Sequence, residues 1–467
     1  MLRSVSRLIG GRCTRPGLSV YHSFMATTRV RMVIAAKIAV FKGASRMRRS
    51  FMGASLVCTV VFGFALSAWS QGLQAPPSNE PLALTNASAI NVRNGQISTG
   101  TTVVLRNGVI ESIGTAAPPS GMRVIDLKGK YLLPGLIDAH THIADLASAR
   151  RALESGVTTA RDAGVDAWVD VGLRELVRKG AVAGPDMVAT GYWIRPPLPE
   201  QAFLTDPSLA PLMSGLDSPE AVRQIVRSNL AHGVDWIKVF ASGAGGPGEA
   251  RRPMLSEAAM RAAVEEASAK GVPVFAHSHS DDGTVAAVRA GVRCIEHGTF
   301  VSDSTLVLMK DKGVYFDPTY VSETDFAERG GDNNNLVAEL NYRPMAPRLE
   351  QTIQKAHQMG VKVVAGTDGA YGPKSLTRVT HEVAAFVKMG FSTLEAIQSA
   401  TILSAEMLRL EKSIGTIEQG KQADLIVVDL NPLEQIWILQ EPLLVVSNGR
   451  VALNKIDFSP RRGAARE

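Results

Sequence analysis

Cysteine is scarce in this chain, with three in 467 residues, and two of them, Cys13 and Cys58, precede residue 71. A small disulfide-stapled scaffold is excluded, and Cys294 in the apolar GVRCIEHG reads as a small buried hydrophobe. Compositional bias is also lacking: 45% hydrophobic and 20% charged residues set aside collagen-like, low-complexity and disordered readings. Acidic residues are missing from the first 70 positions, which hold eleven Arg and Lys. Residues 71–467 then carry 39 bases against 44 acids, so the formal +6 of the whole chain belongs to its first segment and no nucleic-acid partner is expected.

A run long enough to span a bilayer is absent as well. From Met47 the chain reads MRRSFMGASLVCTVVFGFALSAWSQG, with an apolar stretch, 51–66, of 16 residues against the ~20 a spanning helix needs. The two arginines, the short apolar core and Ala68 and Ser70 before Gln71 form a secretory signal peptide over 47–70, cleaved after Ser70. Export to the periplasm or the extracellular space follows, with no stable membrane span after cleavage. Arg48-Arg49 resembles a twin-arginine signal, so the Sec and twin-arginine routes both stay open. Residues 1–46 are either a leader of the Arg-rich transit type or precede a true start at Met47. Val57 stands before Cys58 where a lipoprotein signal requires a small residue, which argues against a lipid anchor.

Between about 131 and 410, eight β-rich runs alternate with helical stretches: LLPGLIDAH, TTARDAG, DMVATG, DWIKVFAS, PVFAHSH, CIEHG, VYFDPTY and VKVVAGTDG. Ser218 before Pro219 and Ser256 before EAAMRAAVEEASAKG mark helix starts. This α/β pattern predicts a TIM (β/α)8 barrel over 138–411. Short alternating runs with turn signals in 71–137 and 412–455 predict a small β-sandwich built from both flanks, and 456–467 is a polar tail.

Active sites of such barrels gather at the C-terminal strand ends. His140 and His142 close the first run as HTH, and strand alternation points both rings to one side. His277 and His279 end the fifth run, His297 the sixth and Asp368 the eighth. Imidazole and carboxylate donors from four strand ends suit a zinc-like divalent metal. Lys238 lies inside the apolar DWIKVFAS, where burial lowers an amine's pKa and permits reaction with CO2 to a bridging carbamate. His232 and His357 sit at helix ends, where a cation suits the dipole, and read as structural.

LLPGLIDAHTH, IKVFASG, IEHG, GTD and GTIEQGKQADLIVVDLNPL, in that order, resemble the amidohydrolase superfamily, in its imidazolonepropionase-like and prolidase-like (Xaa-Pro dipeptidase-like) branch, over most of 82–455. The resemblance implies two divalent metal ions, with zinc the first choice. His140, His142 and Asp368 would hold one, His277 and His297 the other, and carboxylated Lys238 would bridge them. A hydroxide between the metals would attack a C–N amide or peptide bond of a dipeptide or N-acyl amino acid, with Asp368 as catalytic proton shuttle. Arg161 and Arg195 are candidates for a substrate carboxylate, and Tyr192, Trp193 and Tyr320 for an apolar wall. His279 would be substrate-facing or stand behind the ligands, and His381 occupies a familiar position without an assigned role. The same site could instead serve a cyclic amide, lactone or phosphotriester; a non-catalytic scaffold would have lost ligands that this chain keeps. A homo-oligomer is left open.

Overall fold

In the computed structural model the described residues are 80–456, apart from 217 and 331–334. The expected leader and signal peptide, and all of the expected tail but Ile456, lie outside them. Among the described residues no helix is long and apolar enough to cross a membrane.

The N-terminal flank forms β1 (Leu82–Ile90), β2 (Ile97–Arg106), β3 (Val109–Gly114), β4 (Arg123–Asp126) and β5 (Tyr131–Pro134). There follow β6 (Leu136–Thr141), β7 (Val157–Asp162), β8 (Asp186–Val188), β9 (Ile237–Phe240), β10 (Val274–Ser278), β11 (Cys294–His297) and β12 (Tyr315–Asp317). The C-terminal flank adds β13 (Leu425–Val428), β14 (Leu444–Ser447) and β15 (Arg450–Asn454). Both flanks share one sheet, ordered β15-β14-β13-β5-β1-β2-β3, with β4 beside β1. Its two tight hairpins use Asn-Gly: Asn107 and Gly108 at φ 52° and 80°, Asn448 and Gly449 at 50° and 73°, the paired positive values a type I′ turn needs.

Strand β13 joins the two cores by its alternation. Leu425 and Val427 pack with Leu82, Leu105 and Leu444 in the small core of the flanks, while Ile426 and Val428 face the main core. The chain leaves the mixed sheet at Gly135, where an added Cβ would fall 2.1 Å from Thr158 Oγ1. Burial on both faces explains the continuous apolar LIVV, which period-two alternation alone would not require.

Strands β6-β7-β8 and β9-β10-β11-β12 form two parallel sheets. Seven of the eight expected runs are strands; the eighth, 361–369, is not, and one closed eight-stranded sheet is not formed. Single parallel bridges, Ile194 to Val239, Phe316 to Val363 and Thr141 to Gly369, stand at the seams. The eighth run is bonded by its backbone to both neighbours, through Phe316 N–H to Lys362 O and Val364 N–H to Phe316 O on one side and Ala139 N–H to Ala365 O and Asp368 N–H to His140 O on the other. Gly366 passes so near the neighbouring strands that a Cβ would meet Asp317 Oδ2 at 2.5 Å and His140 Cβ at 2.7 Å, and Asp368 has φ 52°. The helix starts match the sequence: Ser218 accepts the N–H of Ala221 before Pro219–Ala231, and Ser256 that of Ala259 before Glu257–Ser268.

Leu425→Ala empties a fully buried position in the smaller core and is expected to lower stability by about 2–5 kcal/mol. A denaturant midpoint equal to wild type would show that this core contributes little.

Candidate metal centre

Strand β6 delivers Asp138 and His140 to one side, and His142 continues the alternation just past its end. His140 is fully buried, and its Nδ1 lies 2.6 Å from Glu296 Oε2, which leaves Nε2 to face the centre. His142 Nδ1 meets the carbonyl of Gly164 at 2.8 Å. Asp368 Oδ1 lies 3.3 Å from His140 Nε2 and 3.0 Å from His142 Nε2, and Lys238 Nζ lies 3.3 Å from His140 Nε2. Such spacings match the edge of a tetrahedron with metal–ligand bonds near 2.0–2.1 Å, roughly 3.3 Å.

A second group adjoins the first. One ring nitrogen each of His277, His279 and His297 lies within 4.8 Å of the others, and His297 also groups with His140 and Asp368. The rings of His140 and His297 are 5.3 Å apart, so the groups share a wall. His297 Nδ1 is bonded to Thr319 Oγ1 at 2.8 Å and His279 Nδ1 to Thr299 Oγ1 at 2.9 Å. His277 is turned the other way, with Nε2 3.3 Å from the Gly243 carbonyl. In each ring one nitrogen is occupied and the other is free to ligate, the support that metal-binding imidazoles receive. His279, expected to face substrate, thus stands among the metal donors as well as on the cavity wall.

Burial sets the protonation states. It pushes His277 and His297 well below the usual histidine range and His279 down to about 4, so these rings are neutral, as a ligand must be. It also lowers Lys238 to about 8. Asp368 is only partly buried, and His140 and His142 hold its carboxyl well below the ordinary range. The donor set therefore fits a divalent cation: the neutral imidazoles of His277, His279 and His297, one ionised carboxylate and a lysine that gives up its proton easily.

A cavity of about 220 Å³ opens onto these groups, lined among others by Trp193, Arg195, Phe240, Glu323, Phe326 and Tyr342. Arg195 and His279 reach it as expected. Arg161 does not: it is fully buried beneath the ligands, with Nη2 2.7 Å from Glu296 Oε2 and its guanidinium 4.0 Å above the ring centre of Phe275. No substrate carboxylate can meet it there. Tyr192 turns away to bond Thr205 Oγ1 at 2.7 Å and packs on Trp168, so its neighbour Trp193 lines the cavity instead. The Tyr320 hydroxyl donates to Glu350 at 3.2 Å, and His381 Nδ1 accepts the Arg378 N–H at 3.1 Å at the start of helix Val379–Lys388; neither lines the cavity. His232 stacks on Trp168 at 3.5 Å and His357 on Phe391 at 3.8 Å, as structural residues do.

Glu323, Phe326 and Tyr342 escaped the sequence reading because they sit on helices beyond the strand ends. The spacing of Glu323 and Phe326 by three places both on one face of helix Tyr320–Ala327, a signal that needs the helix's orientation to be read.

Clustered imidazoles, a carboxylate and a buried lysine at the C-terminal ends of parallel strands define a metal-dependent hydrolase. A profile of the amidohydrolase family matches residues 131–452, and the chain belongs to that family. It is similar to a solved Xaa-Pro dipeptidase with methionine in its active site, at 28% identity and a TM-score of 0.71 over 79% of this chain and 99% of that one. A prolidase solved with N-methylphosphonate-L-proline is similar at 26% identity and a TM-score of 0.69, over 79% and 99% of the two chains. Ochratoxinase of Aspergillus niger is 26% identical over 80% of this chain and 83% of its own. The protein is a hydrolase acting on carbon–nitrogen bonds.

Glu296 orients His140 and neutralises Arg161. Glu296→Gln is expected to weaken metal retention about 10–100-fold and to lower stability by removing the nearer of the two carboxyl partners of the buried guanidinium, which keeps Asp317 at 3.5 Å. Glu296 is buried, but Arg161 and His140 hold its carboxyl below the ordinary glutamate range. Its contribution is therefore complete above that range and lost as pH falls beneath it, and the variant should lack this acid-side loss. Metal titration and denaturation across pH would check both; wild-type metal affinity in the variant would remove Glu296 from the supporting role.

Proposed function

We propose that this protein hydrolyses an amide or peptide bond of a small substrate, a dipeptide or N-acyl amino acid, at a centre of two divalent metal ions, with zinc as first choice. The observation that carries this reading is the convergence of His142, Lys238, His277, His297 and Asp368 on one small cavity, with His140 directly behind Asp368. His140, His142 and Asp368 would hold one ion, His277 and His297 the second, and a carbamate on Lys238 would bridge; His279 is an additional donor for the second group. The two parallel sheets and their bridged seams support reading the frame as an eight-unit TIM barrel.

Bound metal would supply polarisation of the scissile carbonyl and acidification of water to near neutrality. The chain's own residues do the rest. Asp368, ionised and on the cavity wall, accepts the proton of the attacking water and returns it to the departing amine. Arg195, at the cavity wall and 5.5 Å from the ring centre of Phe240, holds the substrate carboxylate. Trp193, Phe240 and Phe326 exclude water around the bond. Export through residues 47–70 belongs to this proposal and is supported by the sequence of that segment.

Two substitutions separate holding from proton transfer. Asp368→Asn keeps a ligating oxygen but cannot carry a proton, so hydrolysis of a dipeptide should fall by about 10²–10⁴. Lys238→Ala should reduce metal from two ions per chain to one or none, as counted by plasma mass spectrometry. Equal activity in Asp368→Asn and wild type would sink the mechanism, and one metal in both wild type and Lys238→Ala would make the lysine structural.

A further inference from the structure

Glu323 is 3% exposed, and its Oε2 is buried without a hydrogen-bond partner among the described residues. Its Oε1 lies 3.8 Å from His279 Nδ1, which is already bonded to Thr299. Glu296 and Asp317 each leave one oxygen unpartnered as well, but both lie against the Arg161 guanidinium, and Glu382 accepts the backbone N–H groups of Tyr320 and Val321 at 2.9 and 2.8 Å. Among the described residues no Lys or Arg lies within ion-pair distance of Glu323. A carboxyl buried in this way stays protonated near neutrality, here raised to about 8, unless a cation reaches it, and this one lines the cavity that the candidate metal donors face.

That cavity has two poles beyond the metal donors, the Arg195 guanidinium and the Glu323 carboxyl. A neighbouring cavity of about 520 Å³ shares His142, Phe326 and Asp368 with it, so the two adjoin at the candidate metal centre. A dipeptide carries a carboxylate at one end, an ammonium at the other and the scissile amide between them. An N-acyl amino acid offers only the carboxylate and a neutral acyl group.

We infer that Glu323 receives the free α-ammonium of the substrate's amino-terminal residue, so that the enzyme favours unblocked dipeptides over N-acyl amino acids. The inference rests on the amide-hydrolase reading and narrows it to one of its two substrate classes. Glu323 acts here as a specificity-determining residue; the bond broken and the proton route are unchanged.

The test uses metal-loaded full-length protein, wild type, Glu323→Gln and Glu323→Ala. Hydrolysis of a dipeptide is compared with that of its N-acetyl derivative. Binding is titrated separately with the ketomethylene isostere of the same dipeptide, which has no amide to cleave, and with its N-acetyl form. Wild type should favour the free amine by about tenfold or more in both assays, and the ratio should collapse toward one in both variants. Metal content and melting temperature are measured alongside, and Glu323→Gln should retain its metal. Equal treatment of free and acetylated compounds by wild type would overturn the inference, as would an undiminished ratio in Glu323→Gln. Loss of metal in Glu323→Gln would also overturn it by making Glu323 a ligand. Preference in binding without any hydrolysis would sink the hydrolase reading while leaving Glu323 in its role.

Discussion

One buried cation holds the floor of this site together. The Arg161 guanidinium sits on the ring of Phe275, donates to the Ala139 carbonyl on β6, and meets Glu296 on β11 and Asp317 on β12 at 2.7 and 3.5 Å. Four strands are thereby tied to a single planar group with a fixed fork of donors. A buried ion pair is weak as a source of net stability, because desolvation offsets much of the attraction. Its value here is geometric. Glu296 accepts from Arg161 and faces His140 Nδ1 through the same oxygen, Oε2, so the strand register is transmitted to the ring that meets Asp368. Burial and the neighbouring Glu296 push Asp317 well above the usual carboxylate range, which makes Glu296 the charged partner of this trio.

A parallel arrangement governs the eighth run. Asp138, two residues before His140, accepts from Thr367 N at 3.0 Å, Thr367 Oγ1 at 2.8 Å and the Tyr371 hydroxyl at 2.7 Å. The segment carrying Asp368 is thus fastened by side-chain bonds in addition to its backbone bonds with β6. Positive φ values cluster around the site, at His297 (69°), Thr319 (50°) and Asp368 (52°). Each costs about 1–2 kcal/mol for a residue with a Cβ. The surrounding bonds to Asp138, Thr319 and Glu382 are what over-determine these conformations.

The positions that converge on the cavity were legible because strand ends announce themselves: an apolar run stops and a His or Asp follows. Depth and parity were less so. Arg161 lies one layer below the ligands, and alternation gives the side of a strand without the level along the axis. Tyr192 and Trp193 differ by a single step of that alternation, and the irregular segment after β8 leaves the parity undefined in the sequence. The flanking strands were plain from their alternation and turn signals, whereas the close approach of Gly366 to Asp317 and His140 and the positive φ of Asp368 are visible only in three dimensions. Glu323 carries no signal in the sequence, since its burial is created by packing of segments distant in the chain.

The charge balance of the cluster constrains how Lys238 can take part on the proposed reading. A protonated amine 3.3 Å from His140 Nε2 would oppose a dication bound at the same place. Burial has already brought the amine down to about 8, so removing its proton at pH 7 costs about 1.4 kcal/mol, against roughly three times that for a solvated lysine. Among the remaining donors Asp368 brings the single negative charge, too little anion for two dications. A carbamate on Lys238 adds the second negative charge and a second oxygen donor, so the dehydration that frees the amine also creates the demand that its carboxylation meets.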